Sequence, residues 1–166
     1  MRLIPLAALA LLSFLASPVD AGERYYSILI GSKHFGNDQM NNQTPGLTFG
    51  QRWPGTRSGT EWFMEGGVFY NSYKEVSPIA LFGTSMSIGT IGPTDLRAGV
   101  AIGTAYYKKL SGKLQDRHHI PNIGGFIPIA VASLALRHGN NEARLTAVPP
   151  DTDTDFILNL SITHKF

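Results

Sequence analysis

The last twelve residues, 155–166, set the tightest limit on what this chain folds into. Phe156, Leu158, Leu160 and Ile162 alternate with Asn159, Ser161, Thr163 and Lys165, and the segment closes on Phe166. A period of two sends successive side chains to opposite faces, so the segment reads as a strand with one apolar face. His164 interrupts the apolar set near its end. Seven earlier segments read as strands too: residues 24–33, 46–53, 60–70, 78–87, 95–106, 125–137 and 141–148. Turn-rich stretches separate them at 37–45, 54–59 and 89–93, and Gly139-Asn140 reads as a tight hairpin. The expectation is an all-β chain.

The composition of the apolar face decides the kind of β protein. Trp62, Met64, Gly66, Val68 and Tyr70 share one face, opposite Glu61, Glu65 and Asn71. Farther on, Leu96, Ala98, Val100 and Ile102 oppose Arg97, Gly99, Ala101 and Gly103. An apolar face fringed by aromatics suits lipid. Charged residues make up 16% of the chain, against roughly 25% in typical soluble domains. A secreted barrel of the lipocalin type, the alternative, turns its charges outward and needs more of them. The expected fold is therefore an eight-stranded antiparallel transmembrane outer-membrane β-barrel, one monomeric domain over residues 22–166. Its closing strand with terminal Phe166 resembles the signal read by the assembly machinery of bacterial outer-membrane barrels.

Residues 1–21 read as a signal peptide. Arg2 supplies the positive start, an apolar run extends from Leu3 to Leu15, and Val19-Asp20-Ala21 offers small residues for cleavage after Ala21. That run falls short of the roughly 20 residues a membrane-spanning helix needs. The chain contains no cysteine. Disulfides, thiolate zinc sites, thiol catalysis and a lipoprotein anchor are all excluded with it. A net charge of +2 without any basic run beyond Lys108-Lys109 argues against nucleic-acid binding.

The interior of so small a barrel is filled by side chains or holds one slender ligand. Passive structure and lipid chemistry are thus the two classes of function left. Of the five histidines, His118 and His119 fall in the polar run 113–119, which reads as a solvated loop with no metal or cofactor site expected. His138 sits at a hairpin and His164 at a strand end. His34 follows directly on the first strand, at the rim where an exposed loop begins.

Two blocks add a family resemblance. Residues 71–83, beginning Asn71-Ser72-Tyr73 and including Pro78-Ile79-Ala80, resemble the loop and following strand of the lipid A palmitoyltransferases, outer-membrane acyltransferases of the PagP type. Residues 120–133, with Pro128-Ile129-Ala130, resemble that family's proline-bearing sixth strand, and Val148-Pro149 matches the proline that ends its seventh. The resemblance implies transfer of an acyl chain from a phospholipid donor to lipid A of lipopolysaccharide, without a cofactor. It carries the essential histidine onto His34 and the essential serine onto Ser72. The acid partner falls on Asn71, a departure, since an amide cannot supply the negative charge that stabilises an imidazolium. Asn71 is then a positioning residue, or Glu75 or Asp38 substitutes for it, or activity is lost.

The same resemblance makes Gly83 the floor of the acyl slot, an acyl-chain ruler, with Leu81 or Phe82 beside it according to register. It makes Pro128 and Pro149 the edges of a lateral lipid entrance, because a proline cannot donate to a ladder. The family's leading amphipathic helix has no counterpart between Gly22 and Ile28. Two other readings stay open: a non-enzymatic small outer-membrane barrel of the adhesion or stress type, which Asn71 favours, and a lipid A deacylase, whose His-Ser pair lies late in the chain.

Overall fold

The computed structural model describes residues 22–149 and 155–166; the expected signal peptide lies outside them. Eight strands occur in the order β1 (Glu23–Phe35), β2 (Gly46–Pro54), β3 (Thr60–Tyr70), β4 (Val76–Ile91), β5 (Thr94–Tyr106), β6 (Phe126–His138), β7 (Asn141–Val148) and β8 (Phe156–Lys165). Each pairs antiparallel with its neighbour in sequence, and β8 closes on β1. This is an eight-stranded antiparallel barrel of the outer-membrane type. Short turns, Gly139-Asn140 among them, lie at the end that holds Gly22 and Phe166, and the longer connections lie at the other. That asymmetry is the one outer-membrane barrels use, with long loops outside the cell.

The two faces divide as alternation requires. Ile28, Leu47, Val68, Val100, Leu134 and Ile162 are exposed on the outer wall. Aromatic pairs mark its two rims: Phe35 stacks on Phe156 at 5.1 Å and Tyr106 meets Phe126 at 5.3 Å by the long loops, while Tyr26 meets Phe166 at 6.3 Å by the short turns. His164 belongs to the second rim, 5.7 Å from the Tyr26 ring, with Nδ1 2.9 Å from Asn141 Oδ1. Register settles the choice at β4: Leu81 faces inward and Phe82 stacks outside on Trp62 at 5.6 Å.

Two expectations are corrected. The run around 113–119 is no loop, because Lys108–His118 form helix α1 in the β5–β6 connection. His119, left-handed with φ 55°, ends it by donating its N–H to Gln115 O, while Ile120 N–H reaches Leu114 O. Leu110 and Leu114, one turn apart, bury against Ile127. The only apolar signal is that i, i+4 pair, too little for a stripe in so polar a run. His34, expected at the exposed rim, lies inside β1 and is 1% exposed. The reason is a bulge: β1 slips against β8 between Leu29 and Gly31, which inverts the alternation and turns Ser32 and His34 inward.

Val100 lies midway along β5 and is 58% exposed. Val100→Arg is expected to lower the stability of the vesicle-embedded barrel by about 2–4 kcal/mol, as for Arg at a bilayer midplane. Urea midpoints of refolding into vesicles measure this, with Gly89→Arg at the strand end as a mild control.

Candidate functional site

The barrel interior changes character along its axis. Toward the short turns, inward positions carry Arg52, Arg97, Arg137 and Arg144 against Glu61, Glu65, Glu142 and Asp95. Arg137 holds Glu61 at 2.7 and 2.9 Å, and Arg52 and Arg144 meet Glu142 Oε1 at 3.0 and 3.1 Å. Glu65 is the uppermost acid. It accepts from Tyr25 (3.0 Å), Thr48 (2.6 Å) and Arg144 (2.8 Å), and the Arg52 guanidinium lies 4.2 Å from the Tyr25 ring centre. Each of these charges meets at least one opposite charge, which offsets the several kcal/mol of desolvation an ion loses on burial.

Above Glu65 and Arg144 the inward side chains become apolar, and a cavity of about 260 Å³ opens among Leu29, Phe69, Ile79, Leu81, Ile129 and Ile157. Leu110 and Leu114 of α1 cover its upper side, with Tyr73 and Tyr107 packed beside them. The volume lies under the ~300–1,000 Å³ of pockets for drug-sized ligands and suits something slender.

The cavity continues sideways through the wall. β5 and β6 stay paired as far as Tyr106↔Phe126, whereas β6 and β7 pair only from Ala132↔Ala147 downward. Among the described residues, 126–131 of β6 thus have no β7 partner. Pro128 and Ala130 belong to the outer face yet line the cavity, together with Val148 and Pro149 across the gap. Pro128 is well placed here, since it lacks the N–H a longer ladder would need.

The residues singled out by sequence fall around this cavity in three ways. Ser72 is buried and lines it. His34 is enclosed in the wall opposite Ile157, a lining residue, but does not itself line the cavity. No hydrogen bond joins it to Ser72: His34 Nδ1 lies 2.8 Å from Asn42 Oδ1, and Nε2 is buried without a partner. The link between the two is indirect, through Asn41 N–H donating to Ser72 O at 3.4 Å.

Asn71 is buried and occupied elsewhere. Its Oδ1 accepts from Tyr73 N–H (2.9 Å) and Glu75 N–H (3.0 Å), and its Nδ2 donates to Ser77 Oγ (2.8 Å). These bonds build the turn between β3 and β4, where Lys74 takes φ 62°. Of the candidate substitutes for the acid, Asp38 pairs with Lys33 at 3.6 Å and Glu75 lies 3.3 Å from Lys109 N–H.

Gly83 faces the interior without reaching the cavity. A Cβ there would strike Val100 O, Phe63 Cζ at 2.6 Å and Ala101 Cβ at 2.7 Å. The Phe63 ring occupies the space the glycine leaves, and Glu65 and Arg144 form the floor one layer higher. Sequence reasoning missed those two floor residues, the two leucines of α1 and Asn42. Leu110 and Leu114 carried a one-turn signal, while Asn42 carried none.

No family model matches the chain, and no curated protein matches its sequence. Among solved structures, the chain is similar to the Yersinia pestis outer membrane protein Ail in a phospholipid bilayer nanodisc, with 13% identity, a TM-score of 0.46, and coverage of 88% of this chain and 100% of that one.

Asn71 gives a sharp test of the acid substitution. Ser77 Oγ already donates to Tyr106 O, so it only accepts from position 71. Asn71→Asp places a carboxylate oxygen against a lone pair. It is expected to cost about 1–3 kcal/mol in urea unfolding and to create no gain in acyl transfer.

Proposed function

We propose that this chain is a bacterial outer-membrane barrel that admits one acyl chain of a membrane phospholipid and transfers it to a hydroxyl of lipid A in lipopolysaccharide. The observation that carries the reading is the apolar cavity reached sideways through the β6–β7 gap between Pro128 and Pro149. A chain lying in the outer leaflet passes through that gap without crossing water, and apolar burial favours its entry by about 25 cal/mol per Å². Ser72 stands at the cavity's upper part, where the ester of an inserted lipid comes to rest, and its hydroxyl is suited to donate to the ester carbonyl oxygen. His34 Nε2, buried in the wall beside the cavity, is the group to take the acceptor hydroxyl's proton once that hydroxyl displaces the packing around it, as the oxygen attacks the carbonyl. The proton then passes to the departing glycerol oxygen, so ester and alcohol exchange without a cofactor.

A second reading, a non-enzymatic barrel of the adhesion or stress type, is favoured by the separation of His34 from Ser72 and by the full engagement of Asn71 in its turn. Mass spectrometry of lipid A decides between them. The host is a Gram-negative strain without its own palmitoyltransferase, with and without this chain folded in its outer membrane. Gain of one acyl chain is expected; loss of one points to deacylation, and no change sinks the enzymatic reading. Ser72→Ala and His34→Ala are each expected to lower transfer by ~10² or more while preserving the heat-modifiable barrel. Gly83→Met, whose Cβ also meets Val100 O and Ala101 Cβ, is expected to destabilise the barrel and, in the fraction that folds, to push the Phe63 ring against the floor and shorten the preferred donor chain. An unchanged chain-length profile removes Gly83 from selection.

A further inference from the structure

β1 outruns its partner on one side. Its pairing with β2 ends at Leu29↔Gly46, yet the strand continues to Phe35, so its last turns face the β1–β2 connection instead of a ladder. Asn42 fills that place three times over: its backbone carbonyl accepts from Ser32 N–H at 2.9 Å, its side-chain Oδ1 accepts from His34 N–H at 3.2 Å, and the same Oδ1 lies 2.8 Å from His34 Nδ1.

The second bond decides the meaning of the third. A backbone N–H only donates, so the amide atom facing it is the oxygen, and the nitrogen of Asn42 points away. An amide oxygen only accepts, so His34 Nδ1 carries the hydrogen. In the neutral ring Nε2 is then the bare acceptor, and it is the buried atom that no protein group meets. Asn42 therefore does for His34 what a carboxylate does for a histidine base, except that it brings orientation and tautomer without charge.

Resting on the acyl-transfer reading above, we propose that Asn42, and not Asn71, is the positioning residue of the site: it locks His34 as the Nδ1–H tautomer and keeps Nε2 free to receive the proton of an acceptor hydroxyl. Asn71 has no atom left for this task, with its amide spent on Tyr73, Glu75 and Ser77.

The test is ¹⁵N NMR of ring-labelled histidine in the full barrel, refolded in detergent, at a pH where the ring is neutral, with His34 assigned by its loss in His34→Gln. The expected spectrum has a protonated-type Nδ1 and an unprotonated-type Nε2. Asn42→Ala is expected to shift His34 toward the Nε2–H form and to lower kcat by ~10² with KM little changed, while Asn42→Asp, which keeps both acceptor contacts, restores the tautomer and most of kcat. An Nε2–H ring in the unmodified protein overturns the proposal. So does a tautomer indifferent to Asn42→Ala, or a kcat indifferent to a tautomer that has changed. If Asn42→Ala fails to fold, the unmodified protein and Asn42→Asp still decide the assignment. If the unmodified protein transfers no acyl chain, the functional reading fails by itself, and the NMR result judges the tautomer separately.

Discussion

Inside a bilayer there is no water to satisfy a backbone N–H or C=O, so a sheet crossing it closes on itself or leaves costly unpaired groups. Here the β8–β1 ladder supplies that closure, and the places where pairing stops take on special weight. Two of them, at the long-loop end, leave six residues of a strand without a partner on one side among the described residues. Beyond Leu29, β1 has lost β2 and is completed by Asn42, whose backbone and side-chain carbonyls stand in for a missing strand. Above Ala132, among the described residues, β6 has no β7 partner, and the wall opens beside Pro128, a residue with no donor to leave unsatisfied. One ending fixes a histidine; the other leaves the apolar cavity open at its side.

The filling of the interior makes those endings useful. Four arginines and four acids interlock in the half toward the short turns, and the charges roughly balance. Such lattices contribute little net stability once desolvation is counted, but breaking one pair is expensive, so they hold their geometry. They form a rigid, polar floor under an apolar chamber. The chamber in turn needs a roof, which α1 provides by laying Leu110 and Leu114 over Ile127 while its lysines stay in solvent. The result is a slot with a charged floor, apolar walls and a side opening.

The legibility of these features in the sequence differs for physical reasons. Strand alternation in Trp62–Tyr70 or Phe156–Ile162 is a local consequence of the pleat and survives unaltered in the fold. His34 shows the limit of that logic, because one bulge between Leu29 and Gly31 moved it from the expected rim to the interior. Asn71 shows another: its place in the resembled motif suggested contact with the histidine, whereas its hydrogen bonds tie down its own turn. Gly83 kept its inward direction, but the Phe63 ring from the neighbouring strand took the space the ruler reading assigned to an acyl chain. The helix at Lys108–His118 was hidden because its burial rests on two leucines against Ile127, a residue of the next strand that is not local to them in sequence.

By itself the sequence determined the eight strands, the lipid-facing residues on them and the scarcity of surface charge, since all three follow from local periodicity and composition. Tertiary structure alone decided which buried groups meet. The pairing of His34 with Asn42, the seating of Arg144 on Glu65 and the gap between β6 and β7 each depend on strand register and on where ladders end. These are properties of the closed barrel, fixed by pairing between segments far apart in the chain, and no local pattern encodes them.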